Sequence, residues 1–155
     1  VSDVIYNGGI LIVLMLSGLV VGWTVNSGLG EFAFGILLCL MYAFVMSWVG
    51  VYMGLRLPTV EVAQQVSFMV ILPLTFISNV FVPIGTLPDW IQPIAAWNPV
   101  STLTASLREL WGNPNPFPAG GIPGEYPIAV TLGWMVVLML IFAPAGVRRY
   151  RSISS

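Results

Sequence analysis

The chain has 155 residues, of which 57% are hydrophobic and only 7% charged, and its net charge is −1. A soluble domain carries about a quarter charged residues, so this chain has too few to cover a water-facing surface. With no basic cluster outside Arg148, Arg149 and Arg151, a nucleic-acid partner is excluded as well.

The charged residues mark the edges of apolar runs. Asp3, Glu31, Arg56, Glu61, Asp89, Arg108, Glu109, Glu125 and the C-terminal arginines all fall at the ends of such runs or between them, and none lies mid-run. The fold class expected is all-α integral membrane, with four transmembrane helices plus two short re-entrant or interfacial helices. The single cysteine, Cys39, lies inside an apolar run and allows no intrachain disulfide. The chain opens on Val1 and enters an apolar run almost at once, without the basic region, short apolar core and cleavage site of a signal peptide. This pattern is expected of a fragment of a longer protein.

Residues 5–25 form the first expected span, roughly 30 Å at 1.5 Å per residue, which matches the hydrocarbon core. Residues 32–55 form the second. Gly18 with Gly22, and Gly50 with Gly54, are small-xxx-small pairs that let a neighbouring helix approach closely. Arg56, Leu57 and Pro58 end the second span, because proline disfavours helix at the residue before it. Thr59 is placed to cap the third, and Glu61 suits the positive end of its dipole.

The third expected span covers residues 62–82. Gln64, Ser67, Thr75 and Ser78 share about a third of its circumference, with Asn79 beside them. Pro73 in mid-span frees a carbonyl one turn earlier. The stripe has two readings: bonds to neighbouring helices, or the lining of a wet or drug-accessible path. Both require it to face away from lipid.

A cap follows, at residues 84–124. Residues 87–97 read as a short interfacial helix with Trp90 and Trp97 near its ends, where indoles prefer the headgroup level. Asn98 and Pro99 are a strong helix start, with Asn as N-cap and Pro at the first helical position. The helix over residues 100–111 carries Val100, Leu103, Leu107, Leu110 and Trp111 on one face, and Ser101, Thr102, Ser106, Arg108 and Glu109 around the rest. Gly112 ends it. Such a helix is too short to span, and lies on the membrane or dips into it. The Pro/Gly-rich residues 113–124 are expected to form no regular structure. The last expected span is 127–147.

With four spans, the termini and Arg56 share one side, which also holds Arg148, Arg149 and Arg151. Only Arg108 is on the other side. The positive-inside rule then places the termini in the cytoplasm and the cap outside. The sequence contains no histidine, no lysine, no phosphate-binding glycine loop and no carboxylate within a span. ATP hydrolysis by the P-loop route and an intramembrane proton relay are therefore not expected of this chain alone. No catalytic residue or metal ligand set is expected. Composition and spacing point to a transporter or a membrane scaffold.

Four blocks at characteristic spacing carry a resemblance: Leu72 to Asn79 running on to Phe81-Val82-Pro83; Leu87-Pro88-Asp89-Trp90-Ile91; Trp97-Asn98-Pro99-Val100; and Leu107-Arg108. Together with Arg56-Leu57-Pro58 and Ala63-Gln64, they resemble ABC-2 type exporter permeases, and within these the actinobacterial daunorubicin-resistance subgroup. The resemblance implies a six-span permease of the bacterial cell membrane, of which this chain would be the last four spans. It implies a separate nucleotide-binding ATPase subunit that binds ATP and Mg, a second permease copy or homologue, and alternating access. Gln64, Ser67, Thr75, Ser78 and Asn79 would line the substrate path. Pro83, Pro88, Trp90, Asn98, Pro99 and Arg108 would belong to the cap at the exit gate. Arg56, Pro58 and Glu61 would form a secondary ATPase-side loop. A short cap and an uncharged path favour a hydrophobic or amphipathic cargo over a polyanionic sugar. The alternative is a non-transporting membrane anchor or regulatory subunit of a larger complex.

Overall fold

The computed structural model describes residues 2–116 and 118–154, with side chains described for residues 5–116 and 118–151. Seven α-helices and one 3-10 turn account for the regular structure among them: α1 (Ser2–Val21), α2 (Leu29–Arg56), α3 (Val60–Ile77), the turn Ile84–Thr86, α4 (Gln92–Trp97), α5 (Pro99–Leu110), α6 (Ile122–Glu125) and α7 (Pro127–Ser154). Three helical stretches are long and apolar enough to cross a bilayer, namely Leu29–Arg56, Val60–Ile77 and Pro127–Arg151, while the apolar part of α1, Ile5–Val21, is shorter.

Local chemistry sets the helix ends. α1 stops at Val21 rather than at residue 25, because Gly22 adopts φ +99°. Gly22 N then donates to Leu19 O at 3.1 Å and Trp23 N to Gly18 O at 2.9 Å, the paired bonds of a Schellman stop. Gly112, at φ +64°, closes α5 by the same pattern, with Asn113 N on Arg108 O at 2.8 Å. α3 stops at Ile77, five residues short of the expected 82, where Ser78 folds back onto Thr75 O and Asn98 takes Leu74 O (below). Only Gln92–Trp97 of the expected helix over residues 87–97 is helical, preceded by turns on the Pro88 carbonyl. Within the loop expected to be irregular, Gly121 at φ +69° turns the chain into the single-turn helix α6.

α2 and α7 form the backbone of the bundle. Tyr52 meets Phe142 edge-on at 5.5 Å, and Arg149 Nε donates to Leu55 O at 3.4 Å, so the two helices run parallel. α5 packs between them, with Leu38, Val45, Leu110 and Met135 as its buried core and Tyr42, Leu103, Leu107 and Trp111 around it. The bundle therefore has a cap end, where α4, α5 and α6 gather, and an arginine end, where α2 and α7 finish.

The glycine pairs do not pack helices here. Gly50 and Gly54 face open space, and Gly18 faces its own neighbour Trp23. Close packing occurs instead at Gly35, where a Cβ would collide with Trp111 Nε1. The Trp111 indole lies in that notch, edge-on to Trp23 at a centroid distance of 5.2 Å.

Candidate functional site

The cap is a re-entrant pair. α4 descends to Trp97, the chain reverses at Asn98, and α5 climbs back to Trp111. The depth of the reversal is fixed by Trp134, whose Nε1 donates to Trp97 O at 2.8 Å. Trp134 lies seven residues into α7, about 10 Å along its axis at 1.5 Å per residue. Trp97 therefore marks the bottom of the dip and not the headgroup level expected of it. Trp90, 73% exposed, remains at the rim.

Asn98 joins three elements at that reversal. Its Oδ1 accepts from Val100 N at 2.9 Å, capping α5, and its Nδ2 donates to Leu74 O at 2.6 Å, capping the far end of α3. Pro99 occupies the first turn of α5, where no amide donor is needed. One turn on, Ser101 Oγ accepts from Asn79 N at 3.1 Å. Farther along α5, Ser106 Oγ donates to Thr102 O at 2.7 Å and lies 3.0 Å from Thr131 Oγ1 on α7.

Ser78, Asn79, Asn98, Ser101, Thr102, Ser106 and Thr131 are all buried. They form a continuous polar seam that ties α5 to the end of α3 on one side and to α7 on the other. The small polar residues of α5, which lie outside its apolar face, pack against protein. Away from water a hydroxyl or amide must find a partner, and small side chains allow the helix backbones to approach closely enough to supply one. The exception is Asn79 Oδ1, which is buried without a hydrogen-bond partner among the described residues.

The sequence-selected path residues therefore divide. Ser78 and Asn79 are in the seam, with Ser78 Oγ donating back to Thr75 O at 2.6 Å. Ser67 and Thr75 bond within α3, to Ala63 O and Ile71 O, both at 2.8 Å. Gln64 is exposed, and no residue of α3 is buried. Of the cap residues, Asn98 and Pro99 meet at the reversal. Pro83 supplies the carbonyl that Thr86 Oγ1 bonds at 2.8 Å, and Pro88 lies exposed at the top of α4. Arg108 donates to Asn115 Oδ1 at 3.1 Å, tying α5 to the following loop, and its partial burial lowers the guanidinium pKa below the usual value. At the arginine end, Arg56 lies over the Tyr52 ring at 5.3 Å, and Pro58 and Glu61 are exposed.

Ser101, Ser106, Thr131, Trp134 and Gly35 were not singled out as functional or packing residues from the sequence. The available signal was the spacing of Ser101 with Ala105 and of Thr102 with Ser106, two small-xxx-small pairs on one helix. Among the described residues no group of acidic, cysteine or histidine side chains could hold a metal ion.

Comparison with known proteins places this arrangement in context. A family model described as ABC-2 type transporter matches residues 1–110. The chain is 30% identical over 135 residues to "Daunorubicin resistance ABC transporter permease protein DrrB1" of Streptomyces coeruleorubidus, covering 87% of this chain and 45% of that protein. It is 24% identical over 103 residues to "Putative transport permease ycf38" of Cyanophora paradoxa, covering 66% of this chain and 36% of that one. The chain thus spans less than half the length of the curated relatives it matches. No solved structure matches.

Proposed function

Because the chain belongs to the ABC-2 type transporter family, we propose that it acts within the transmembrane subunit of an ATP-binding cassette exporter. In this reading it moves a hydrophobic or amphipathic cargo outward by alternating access. Energy comes from a separate nucleotide-binding subunit that holds ATP and Mg, since the chain has no lysine and no phosphate-binding loop.

The observation that carries the reading is the re-entrant pair α4–α5 docked against the end of α3. It makes a closed polar joint at one end of a helix whose remaining surface is open. Ser67 and Thr75 lie on that helix beyond its single charged residue, Glu61, which is in the first turn beside Gln64. An uncharged stripe suits a drug-like or lipid-like cargo and offers a polyanion no counter-charge. One relative is named for daunorubicin resistance, which supports the same cargo class. The unburied face of α3 suits a second permease copy across a shared path, and the exposed Arg56, Pro58 and Glu61 suit a secondary contact with the ATPase. In this reading the membrane is a bacterial plasma membrane, and the positive-inside rule favours an arginine end in the cytoplasm.

Affinity purification of the intact protein in mild detergent tests the reading. The expected result is a stoichiometric nucleotide-binding subunit whose ATPase activity requires this protein and rises with an amphipathic drug. A stable complex without any ATPase would leave the chain as a membrane anchor. Export of a polar glycan by the intact complex would overturn the cargo class.

A further inference from the structure

We propose that the arginine end carries a binding site for an anionic phospholipid, held in the seam between α2 and α7. An open groove of about 560 Å³ runs there, lined by Trp48, Val51, Leu55, Gly146, Val147 and Tyr150, with Arg151 at its rim. Gly146 lies at the floor of the groove, where a Cβ would meet the Trp48 ring at 3.8 Å, an ordinary van der Waals contact.

The lining is apolar apart from Arg151, and further arginines lie at the same end of the bundle. Arg56, Arg148 and Arg151 are exposed at this end, and Arg149 bonds the last turn of α2 through Leu55 O at 3.4 Å. The acidic residues placed at the same end by the chain order are Asp3 and Glu61, against four arginines. In a bilayer, an acyl chain gains little by leaving other acyl chains for an apolar groove, because both are equally oily. The groove therefore fixes where a lipid sits, and the arginines decide which lipid it is. A phosphodiester headgroup with net negative charge matches the guanidinium fork in geometry and charge, whereas a zwitterionic one brings its own cation to the same place. The site is separate from the polar seam and does not depend on the transport reading.

Trp48 supplies the readout. The intact protein is reconstituted in phosphatidylcholine nanodiscs containing phosphatidylglycerol or phosphatidylcholine with brominated chains, which quench indole fluorescence on contact. At equal mole fraction, brominated phosphatidylglycerol quenches more strongly, and the excess disappears in Trp48→Phe. Arg148→Gln and Arg151→Gln each lower the preference about 5-fold, the effect expected of one basic side chain near an anionic surface, and high salt lowers it in the native protein. Equal quenching by both lipids overturns the proposal in favour of ordinary boundary lipid. Quenching by neither overturns it in favour of a protein segment or second copy covering the groove. A preference that survives removal of both arginines overturns it too.

Discussion

Asn98 and Leu74 lie 24 positions apart in the chain, yet the side-chain amide of one donates to the carbonyl of the other at 2.6 Å. The same amide group accepts from Val100 N. One residue thus finishes α3 and starts α5.

Replacing Asn98 with Ala removes an N-cap and leaves the Leu74 carbonyl without its donor. The expected loss is about 2–4 kcal/mol, adding a cap of about 1 kcal/mol to a buried polar group left unsatisfied. Asn98→Ser keeps the cap and should lose less. Thermal unfolding in detergent measures both; equal losses would mean that the cap contributes nothing, and an Asn98→Ser variant without loss would mean that the Leu74 bond contributes nothing.

Ser106 and Thr131 form the other side of the seam. Thr131→Val preserves shape and removes the hydroxyl, at an expected cost of about 0.6 kcal/mol and no more than about 1.7, the mean and the upper value for hydrogen bonds between membrane helices. A double-mutant cycle with Ser106→Ala should show coupling of the same order. Strict additivity would show that the 3.0 Å contact is incidental.

Gly35→Ala places a methyl group where the Trp111 indole now lies. The ring cannot retreat easily, because Trp23 packs against its edge. Overpacking here should cost about 1–3 kcal/mol and should be relieved in part by Trp111→Leu in the same molecule. A neutral Gly35→Ala variant would mean that the indole has an alternative place to go.

The orientation is tested by labelling. In a Cys39→Ser background, a cysteine at Gly120 in the exposed cap loop should react with an impermeant maleimide on intact cells. A cysteine at Pro58 should react only after the cells are opened. The reverse pattern would invert the topology.

Much of the fold was legible in the chain, for identifiable reasons. Apolar runs bounded by charges mark bilayer-crossing helices because the membrane penalises unpaired charge. Asn98 with Pro99, and Gly112, mark the ends of α5 because their chemistry is local to the backbone. The sequence could not show which face of α5 is buried. Amphipathic patterning assumes that water takes the polar side, whereas Ser101, Thr102 and Ser106 are buried against Asn79 and Thr131. Those partners are more than 20 residues away, and no short-range spacing encodes them. The Gly50 and Gly54 pair misled for a related reason: a small side chain permits a close approach but does not supply the helix that makes it.

The absence of any buried residue in α3 has a mechanical consequence. Its bonds to distant parts of the chain are at one end, through Leu74 and Asn79. An 18-residue helix is about 27 Å long, so a swing of about 10° about that joint carries the opposite tip sideways by about 5 Å. Asn98 is then a fulcrum, and the Arg56–Glu61 loop is the end of the lever where a small push has the most leverage.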